Sequence, residues 1–397
     1  MCNARSIRVR PRPMAYPAMN KHSEGFGAAA AIRQTLQEVA GAPDDAPRSM
    51  PGAFYTDPAL FAHETQTVLR SGWHCAGRAD ELPAQGDYMT LDLLGEPLLI
   101  VRDGGAIRAL ANVCQHRGMP LVQGRGTAKR FVCRYHAWAY GTDGALLRAP
   151  RMQNAGFDAK NCKLGAFHCI ERFGFIYVCL AADAPDFDTE TTGLDDLIAP
   201  YDPQGFRIVH AASELWQCNW KCLVENFMEG YHLSVVHPET LHGYTPTGLS
   251  RKGPAGRGFT SYFANYPADI AARGMGAPGL SAEERHRSTL FATFPGQVAS
   301  ISASLLVSLN IRPRTAESID VRWTMSVYGD DLDDATIAQR IALWQEVNTE
   351  DREKLEAMQP ALHSRFAQGG PLAEPDYEGT IRDFLVWLAR QDCAPEA

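Results

Sequence analysis

Two short segments in the first half of the chain each carry one cysteine and one histidine. Cys114 and His116 are separated by one residue, and Cys133 and His136 by two. Two thiolates and two imidazoles in this order are the ligands of a Rieske [2Fe–2S] cluster, in which the thiolates hold one iron and the histidines hold the other. The spacing therefore predicts a site that stores and passes on electrons.

Zinc is the alternative occupant, because two cysteines and two histidines also form a structural tetrahedral site. Zinc pairs usually place like ligands together, whereas each segment here supplies one sulfur and one nitrogen. Gly118 and Pro120 suit a tight loop for the first pair, and Phe131-Val132 suits a strand that leads to the second. Spacing and context together favour the iron–sulfur cluster, presented on two hairpin tips.

A second polar segment follows about ninety residues later. Glu225, Glu229 and His232 are spaced i, i+4 and i+7, which predicts one helical face with two carboxylates and an imidazole. Such a face is too polar to bury without a metal or a hydrogen-bond network. His237 follows His232 by five residues, and Pro238 marks the helix end. On spacing alone, the two histidines are either a metal pair or ordinary core histidines.

A third ligand is indicated in the helix that Asp334 is expected to cap. An apolar stripe there predicts the buried face of the helix: Ile337, Ile341, Trp344, Val347, Leu355 and Met358. Asp351 falls within this stripe and needs either a metal or a buried arginine as its partner. Two histidines and one carboxylate form the triad that leaves coordination positions open on Fe(II).

The remaining elements divide the chain into three predicted parts. Residues 1–47 are expected to be a disordered extension, 48–188 a small antiparallel β domain that begins with a helix at 57–69, and 189–397 an α+β catalytic domain. An acidic stretch at 182–192 is the predicted linker.

In the second domain, the pattern predicts two long strands, roughly 297–311 and 318–328, joined as a hairpin. The long helix from Asp334 and a weaker helix from Tyr377 follow. The predicted fold class of the whole chain is α+β, with an antiparallel β first domain and an α+β second domain.

Composition excludes several classes of partner. The formal net charge of −8 gives no basic surface for nucleic acid, and no apolar run approaches the length of a membrane span. Ten cysteines without disulfide-scaffold spacing favour a reducing, cytoplasmic location. The arginines and prolines near the start are read as a disordered extension rather than a transit peptide.

The two motifs in this order resemble the catalytic α subunit of Rieske non-haem iron oxygenases, from about residue 50 to the end. The second motif reads Asn219-Trp-Lys, Glu225-Asn226, then Glu229-Gly-Tyr-His232-x₄-His237-Pro238. The resemblance implies a helix-grip (START-like) second domain with mononuclear Fe(II) held by His232, His237 and Asp351. It also implies a homotrimer in which the cluster of one chain faces the iron of its neighbour.

Within the family, an acidic residue bridges the boundary between neighbouring chains. The resemblance assigns this role to Glu229, with His136 as the cluster histidine that faces it. It also places Asn226 among the catalytic residues. Many ring-hydroxylating members have Asp at this position, with one more residue between the preceding Asn and the first iron histidine. The shorter arrangement resembles the group that acts on quaternary ammonium compounds, although Gly230 and Leu233 stand where those relatives often carry cysteines. Ala137 replaces a frequent glycine, which is expected to be tolerated if the backbone φ there is negative.

The chain contains neither a G-x-G-x-x-G opening a helix after a strand nor a plant-type ferredoxin motif. NAD(P)H and flavin chemistry is therefore expected on a separate reductase, with or without a ferredoxin. The predicted function is a terminal oxygenase, a mono- or dioxygenase, that uses O₂ to hydroxylate or N-demethylate a small organic substrate.

A quaternary ammonium compound is the favoured substrate. One hypothesis for its binding is an aromatic cage, and the alternative is that the same residues are simply core: Phe227, Tyr231, Trp216, Phe291 and Phe294. The alternatives are an aromatic-ring hydroxylase, an O-demethylase of an aromatic acid, a cluster-only electron carrier, and a helix-grip binding protein without catalysis.

Overall fold

The computed structural model describes residues 22–43, 46–153, 156–272 and 274–392. The arginine-rich start, and with it the prediction of disorder for residues 1–21, lies outside the described residues. Among those described, no helix is both long and apolar enough to cross a bilayer.

The first half of the chain folds into antiparallel β-structure. Its strands are β1 (His74–Arg78), β2 (Asp87–Leu93), β3 (Glu96–Asp103), β4 (Ala106–Ala111), β5 (Arg125–Thr127), β6 (Phe131–Val132), β7 (Ala139–Tyr140), β8 (Leu146–Arg148), β9 (Ala166–Arg172) and β10 (Phe175–Cys179). Seven of them form one sheet in the order β1-β10-β9-β4-β3-β2-β5, and β6-β7-β8 form a second. The small sheet carries the segment between Cys133 and His136.

The second half contains one seven-stranded antiparallel sheet. Its strands are β11 (Phe206–Trp216), β12 (Ser250–Lys252), β13 (Phe259–Asn265), β14 (Arg287–Thr293), β15 (Gln297–Ile301), β16 (Leu305–Thr315) and β17 (Ser318–Tyr328). The order is β11-β17-β16-β15-β14-β13-β12, so strands that follow one another in sequence are mostly neighbours in space.

The described residues contain ten α-helices. They are α1 (His22–Ala40), α2 (Ala53–Thr56), α3 (Pro58–Glu64), α4 (Phe187–Glu190), α5 (Leu194–Ile198), α6 (Trp220–Phe227), α7 (Leu233–Val236), α8 (Ala282–Arg285), α9 (Asp334–Ala361) and α10 (Pro375–Asp392). One core is formed by the apolar side chains of α6, α9 and α10 and by the inner face of the seven-stranded sheet that contains β11 to β17. This is the α+β, helix-grip arrangement that the sequence predicts.

The long helix α9 agrees with the predicted buried stripe except at Met358, which is 40 % exposed. Its N-cap is Asp333 rather than Asp334, because the Asp333 carboxylate accepts a hydrogen bond of 2.7 Å from the Thr336 backbone N–H. Trp344, Val347 and Leu355 are buried, and Asp351 is only 7 % exposed among them. The predicted buried carboxylate is confirmed.

Two expectations about elements were wrong. The strand expected over 297–311 is two strands, β15 and β16, separated by a turn at Ser302–Ser304. Residues 22–40 form helix α1, which packs on α10, rather than part of a disordered extension. The stretch 182–192 contains helix α4 and packs Phe187 into a hydrophobic core, and its role as the linker between domains stays a prediction. The domain boundary near 188 stays a prediction.

Candidate metal centres

The loops that carry the first two ligand pairs have the same hydrogen-bond pattern. In each, the cysteine N–H donates to the carbonyl five residues ahead, Met119 for Cys114 and Trp138 for Cys133. In each, the residue four places after the cysteine donates back to the cysteine carbonyl. The two loops are therefore matched turns that present their side chains in the same way.

The residue four places after the cysteine has a left-handed backbone in both loops. It is Gly118 in the first loop, with φ of 71°, and Ala137 in the second, with φ of 57°. The condition under which Ala137 was expected to be tolerated, a negative φ, is therefore not met. The matched turn explains why, since its geometry requires the left-handed region that glycine adopts without cost.

These loops carry the four side chains predicted for the cluster, and both cysteines lie in the same hydrophobic core. The thiols of Cys114 and Cys133 are buried, each with 2 % exposure, while His136 is exposed at the tip. The imidazole rings of His116 and His136 lie 4.6 Å apart, and His116 stacks on Trp138 at 4.9 Å. The Tyr140 hydroxyl lies 3.4 Å from the Cys114 sulfur and accepts from the Gln115 N–H. Two buried thiols and two neighbouring imidazoles on matched loops are the ligand types that a Rieske cluster needs.

The second predicted site begins on helix α6, which is fixed at its N-terminus by buried polar contacts. Asn219 caps the helix through its side-chain oxygen, which accepts from the Lys221 N–H at 2.9 Å. The Lys221 ammonium forms a buried ion pair with Glu64 at 2.7 Å, and the Trp220 indole N–H donates to the same carboxylate at 3.3 Å. The Asn-Trp-Lys motif thus anchors α6 to α3.

Helix α6 ends at Phe227, so the predicted helical face with Glu225, Glu229 and His232 does not exist. The chain leaves the helical path because α10 captures its backbone: Thr380 donates to the Met228 carbonyl, and the Tyr377 carbonyl accepts from the Gly230 N–H. Glu225 instead lies half-buried beside α2, where the Tyr55 hydroxyl donates to it at 2.9 Å. Glu225 is therefore not part of the metal site.

His232 and His237 flank the short helix α7, and α9 supplies Asp351 opposite them. One ligand atom from each of these three residues lies within 4.8 Å of the others. The Asp351 Oδ1 atom lies 3.6 Å from the His232 Nε2 and 3.2 Å from the His237 Nε2. The Asn226 amide donates to the same Oδ1 at 3.3 Å. The structure therefore brings together all three residues that the sequence analysis proposed.

The other nitrogen of each imidazole is held by a glutamate. The Glu229 carboxylate contacts the His232 Nδ1 and accepts from the His232 N–H at 3.1 Å. Burial lowers the pKa of His232, but its hydrogen bond to Glu229, the Glu229 charge and the Asp351 charge raise it above the ordinary value overall. With its Nδ1 atom bonded to Glu229, the imidazole presents its Nε2 atom to Asp351.

His237 has a matching partner that the sequence analysis missed. Its Nδ1 lies 2.7 Å from the Glu350 carboxylate, which also accepts from the Thr240 hydroxyl at 2.7 Å. Glu350 directly precedes Asp351 on α9, so one turn of helix supplies both a carboxylate to the triad and the group that orients a histidine. A polar Glu-Asp pair next to a buried stripe is the signal that could have indicated it.

The residues of the triad fit a metal ion. Both Nδ1 atoms have carboxylate partners, and both Nε2 atoms face one carboxylate oxygen. The buried Nε2 of His237 has no hydrogen-bond partner among the described residues. Histidine ligands held through their second nitrogen are typical of metal sites, and this ligand set suits Fe(II).

The predicted aromatic cage is not assembled. Trp216 and Phe294 belong to the core around α6 and α10, whereas Phe291 belongs to the core between the sheets. Tyr231 is 58 % exposed and lies 6.2 Å from the Tyr377 ring. These aromatic side chains mostly stabilise the fold rather than surround one ligand.

Two sequence families match successive parts of the chain. Residues 72–169 match the Rieske [2Fe-2S] domain, and residues 201–391 match the ring hydroxylating alpha subunit (catalytic domain). The first match contains all four side chains on the matched loops, and the second contains the triad with both glutamates.

Curated relatives include glycine betaine monooxygenase oxygenase subunits. The one from Chromohalobacter salexigens is 37 % identical over 214 residues, which cover 53 % of this chain and 48 % of that protein. The one from Pseudomonas aeruginosa is 27 % identical over 381 residues, covering 86 % and 89 %. The chain thus aligns with about half the length of the first relative and with most of the second.

A solved structure has the same fold. The quaternary ammonium Rieske monooxygenase CntA, in complex with its substrate L-carnitine, superposes with a TM-score of 0.77 at 22 % identity. The superposition covers 89 % of this chain and 98 % of that chain.

Proposed function

The chain belongs to the Rieske non-haem iron oxygenases, and we propose that it is the terminal oxygenase component of a system that oxidises a quaternary ammonium compound. The observation that carries this proposal is the pair of ligand sets on one chain: two buried thiols with two imidazoles, and a buried His-His-Asp triad. A cluster-only electron carrier has no use for the triad, and a binding protein has no use for either set.

We propose Cys114, His116, Cys133 and His136 as the cluster ligands and His232, His237 and Asp351 as the ligands of the mononuclear iron. When bound, the cluster supplies stored electrons, and the iron supplies coordination positions for O₂. The protein's own part is to hold the imidazoles in one orientation through Glu229 and Glu350 and to hold Asp351 through Asn226. NAD(P)H oxidation belongs to a separate reductase.

The substrate class is supported by the relatives, which are named for glycine betaine, and by the CntA complex, which contains L-carnitine. In the proposed reaction, one oxygen atom of O₂ enters an N-methyl C–H bond and the other leaves as water, with two electrons from NAD(P)H and two protons. The hydroxymethyl product then breaks its C–N bond, releasing formaldehyde, a proton and the tertiary amine.

We further propose that the chain works as a homotrimer in which Glu229 of one subunit approaches His136 of the next. His136 is exposed beside Tyr135 and Val132, which are 54 % and 42 % exposed. Near Glu229, Tyr231 and Val235 are 58 % and 81 % exposed. Both surfaces thus present apolar side chains beside the residues that would be paired.

The test is turnover with a surrogate reductase, NADH and O₂, following O₂ uptake and formaldehyde release. Glycine betaine and L-carnitine are compared with benzoate and a methoxybenzoate. Substrate-dependent O₂ uptake with the quaternary ammonium compounds, and formaldehyde from an N-methyl oxidation, are the expected results. Turnover of only the aromatic acids would refute the proposed substrate class.

A further inference from the structure

The segment around the proposed cluster ligands is basic, although the chain as a whole is acidic. Residues 115–165 contain nine arginines and lysines but only two aspartates, whereas the formal net charge of the whole chain is −8. Both aspartates are engaged by the backbone, since Asp143 accepts from the Ala145 N–H at 3.0 Å and Asp158 accepts from the Lys160 N–H at 2.9 Å. Positive charge is therefore concentrated around the proposed cluster.

Three of these cations lie together at the edge of the small sheet. The order β6-β7-β8 places β8 at an edge, and Arg148 is the last residue of β8. Ala145, just before β8, forms a bridge with Lys163, and the helical turn that contains Lys160 packs against β8. The surface formed here is called the basic edge, and its residues are Leu147, Arg148, Lys160 and Lys163.

The basic edge has no counter-charge of its own. Its three cationic side chains are exposed, and none of them forms an ion pair or a hydrogen bond with another described residue. Leu147, which precedes Arg148, is 59 % exposed. An exposed apolar side chain beside unpaired cations is the composition of a surface that docks a partner of opposite charge.

A short series of contacts connects the basic edge to the proposed cluster. Leu146, in β8, is the strand partner of Tyr140 in β7. The Tyr140 hydroxyl lies 3.4 Å from the Cys114 sulfur, and the three residues belong to one hydrophobic core. A protein docked at the basic edge is therefore separated from a proposed cluster ligand by only β8 and β7.

The basic edge is adjacent to, but distinct from, the surface proposed to face the neighbouring subunit. That surface includes His136 and Val132. Val132 pairs with Ala139, and Ala139 pairs with Arg148. Two strand spacings, about 10 Å, thus separate Val132 from the basic edge.

We propose that the basic edge docks an acidic electron-transfer protein whose own iron–sulfur centre reduces the cluster. The donor loses one electron and the cluster gains it, with no atom exchanged at the contact. Carboxylates of the donor supply the partners that the three cations lack, and complementary charge speeds the encounter. The inference rests on the proposed function and identifies its protein partner by charge.

The probe is an acidic plant-type [2Fe–2S] ferredoxin, whose potential lies below that of Rieske clusters. Its oxidation by the loaded oxygenase, without substrate, is followed by stopped-flow absorbance. In the double variant Arg148→Gln/Lys163→Gln, the second-order rate constant at about 20 mM ionic strength should fall about tenfold. At about 0.5 M salt, the variant and the wild type should agree within about twofold, because the charges are screened. Reduction by dithionite, which needs no docking, should change by less than about twofold.

A matched control is Arg365→Gln/Arg390→Gln, which removes the same charge from exposed positions in the second domain. Its rate constant should match that of the wild type. Carbodiimide cross-linking to the oxidised ferredoxin gives a second measurement, since it joins a lysine amine to a carboxylate as an amide. Peptide mass spectrometry should find the links at Lys160 and Lys163 in the wild type and in the control.

Equal rate constants in the edge variant and the control would overturn the proposed docking surface. A wild-type reduction by ferredoxin that is absent or insensitive to salt would also overturn it. Loss of the oligomer in the edge variant alone would assign the basic edge to a second copy of the chain instead. Failure to turn over any quaternary ammonium compound would refute the proposed function but leave this measurement valid, since it needs only the cluster.

Discussion

At the scale of single residues, the least expected feature of the iron site is Glu350. Its carboxylate orients His237 and is in turn held by Thr240, so the histidine is positioned by a residue adjacent to the aspartate of the triad. Partners of this kind keep the metal-binding nitrogen pointed at the ion, and their loss typically costs 10- to 100-fold in metal affinity.

We therefore expect Glu350→Gln to weaken binding of the mononuclear iron by about 10- to 100-fold, because the amide is a weaker acceptor for the His237 N–H. Iron retained after mild chelation is the measurement, with the visible spectrum of the cluster as the internal reference. The exposed Glu353→Gln is the matched control on the same helix. Equal iron retention in the two variants would show that Glu350 does not position His237.

Ala137 gives a second prediction at this scale. At its φ of 57°, the alanine backbone is strained by about 1 to 2 kcal/mol, and glycine would relieve this strain. Part of that gain would be offset, because glycine has more conformational freedom in the unfolded chain. Ala137→Gly should raise the free energy of unfolding by up to about 1 kcal/mol, measured with the cluster loaded. The reverse substitution at the matching position of the other loop, Gly118→Ala, should lower the free energy of unfolding.

The residues proposed as ligands could be picked out from the sequence, because the cysteine and histidine pairs are closely spaced and Asp351 interrupts an apolar stripe. The orienting partners were less predictable. Glu229 came from the family resemblance, whereas the only sequence signal for Glu350 is its place beside Asp351, and its contact with His237 is seen only once α7 and α9 are packed together. The left-handed conformation of Ala137 follows from a hydrogen-bonded turn, and this turn is recognised only by comparing it with the matching turn at Gly118.

At the scale of elements, the clearest difference between sequence and structure is the end of α6. Spacing of i, i+4 and i+7 predicted a continuous helix through His232, but tertiary hydrogen bonds from α10 override that pattern. Long elements with strong periodicity, such as α9, were predicted well. The break in α6 could not be, since its cause lies about 150 residues further along the chain.

The break leaves Glu225 half-buried away from the metal site, and the loss of water around its carboxylate raises its pKa from 4.5 to about 7. Between these two pH values, the folded state holds a proton that the unfolded state has released. Stability therefore falls as pH rises from about 4.5 to about 7, by about 3 kcal/mol for a shift of this size, and is constant above that.

Glu225→Gln should remove this loss, since the amide carries no charge and can still accept from the Tyr55 hydroxyl. The variant should be more stable than the wild type at pH 8 and similar to it near pH 4.5. Denaturant unfolding of both proteins across this range is the measurement. A constant difference between the two at all pH values would mean that Glu225 is not a half-buried titrating group.

At the scale of the whole molecule, the proposed trimer makes a prediction about mixtures of defective chains. His136→Cys chains lack a working cluster, and His232→Ala chains lack the mononuclear iron. If electrons cross between subunits, mixing the two should restore activity, because the intact cluster of one serves the intact iron of the other. Subunit exchange is confirmed by mass.

Glu229→Gln chains provide the matched comparison. The substitution weakens the carboxylate partner of His232 on the receiving side of the boundary. When these chains are mixed with His232→Ala chains, both defects lie at the receiving site, so the mixture should stay inactive. If the mixture of His136→Cys and His232→Ala chains stayed inactive although subunit exchange was confirmed, the electron path would lie within one chain.

The central claim is that one chain holds two separate iron sites, and metal analysis tests it most directly. Iron, acid-labile sulfide and the EPR spectrum of the reduced protein are measured in the wild type and in Asp351→Ala. The wild type should contain about three irons and two sulfides per chain. The variant should contain about two of each, with its Rieske signal unchanged. A wild type without acid-labile sulfide, or an Asp351→Ala variant that keeps its third iron, would contradict the assignment.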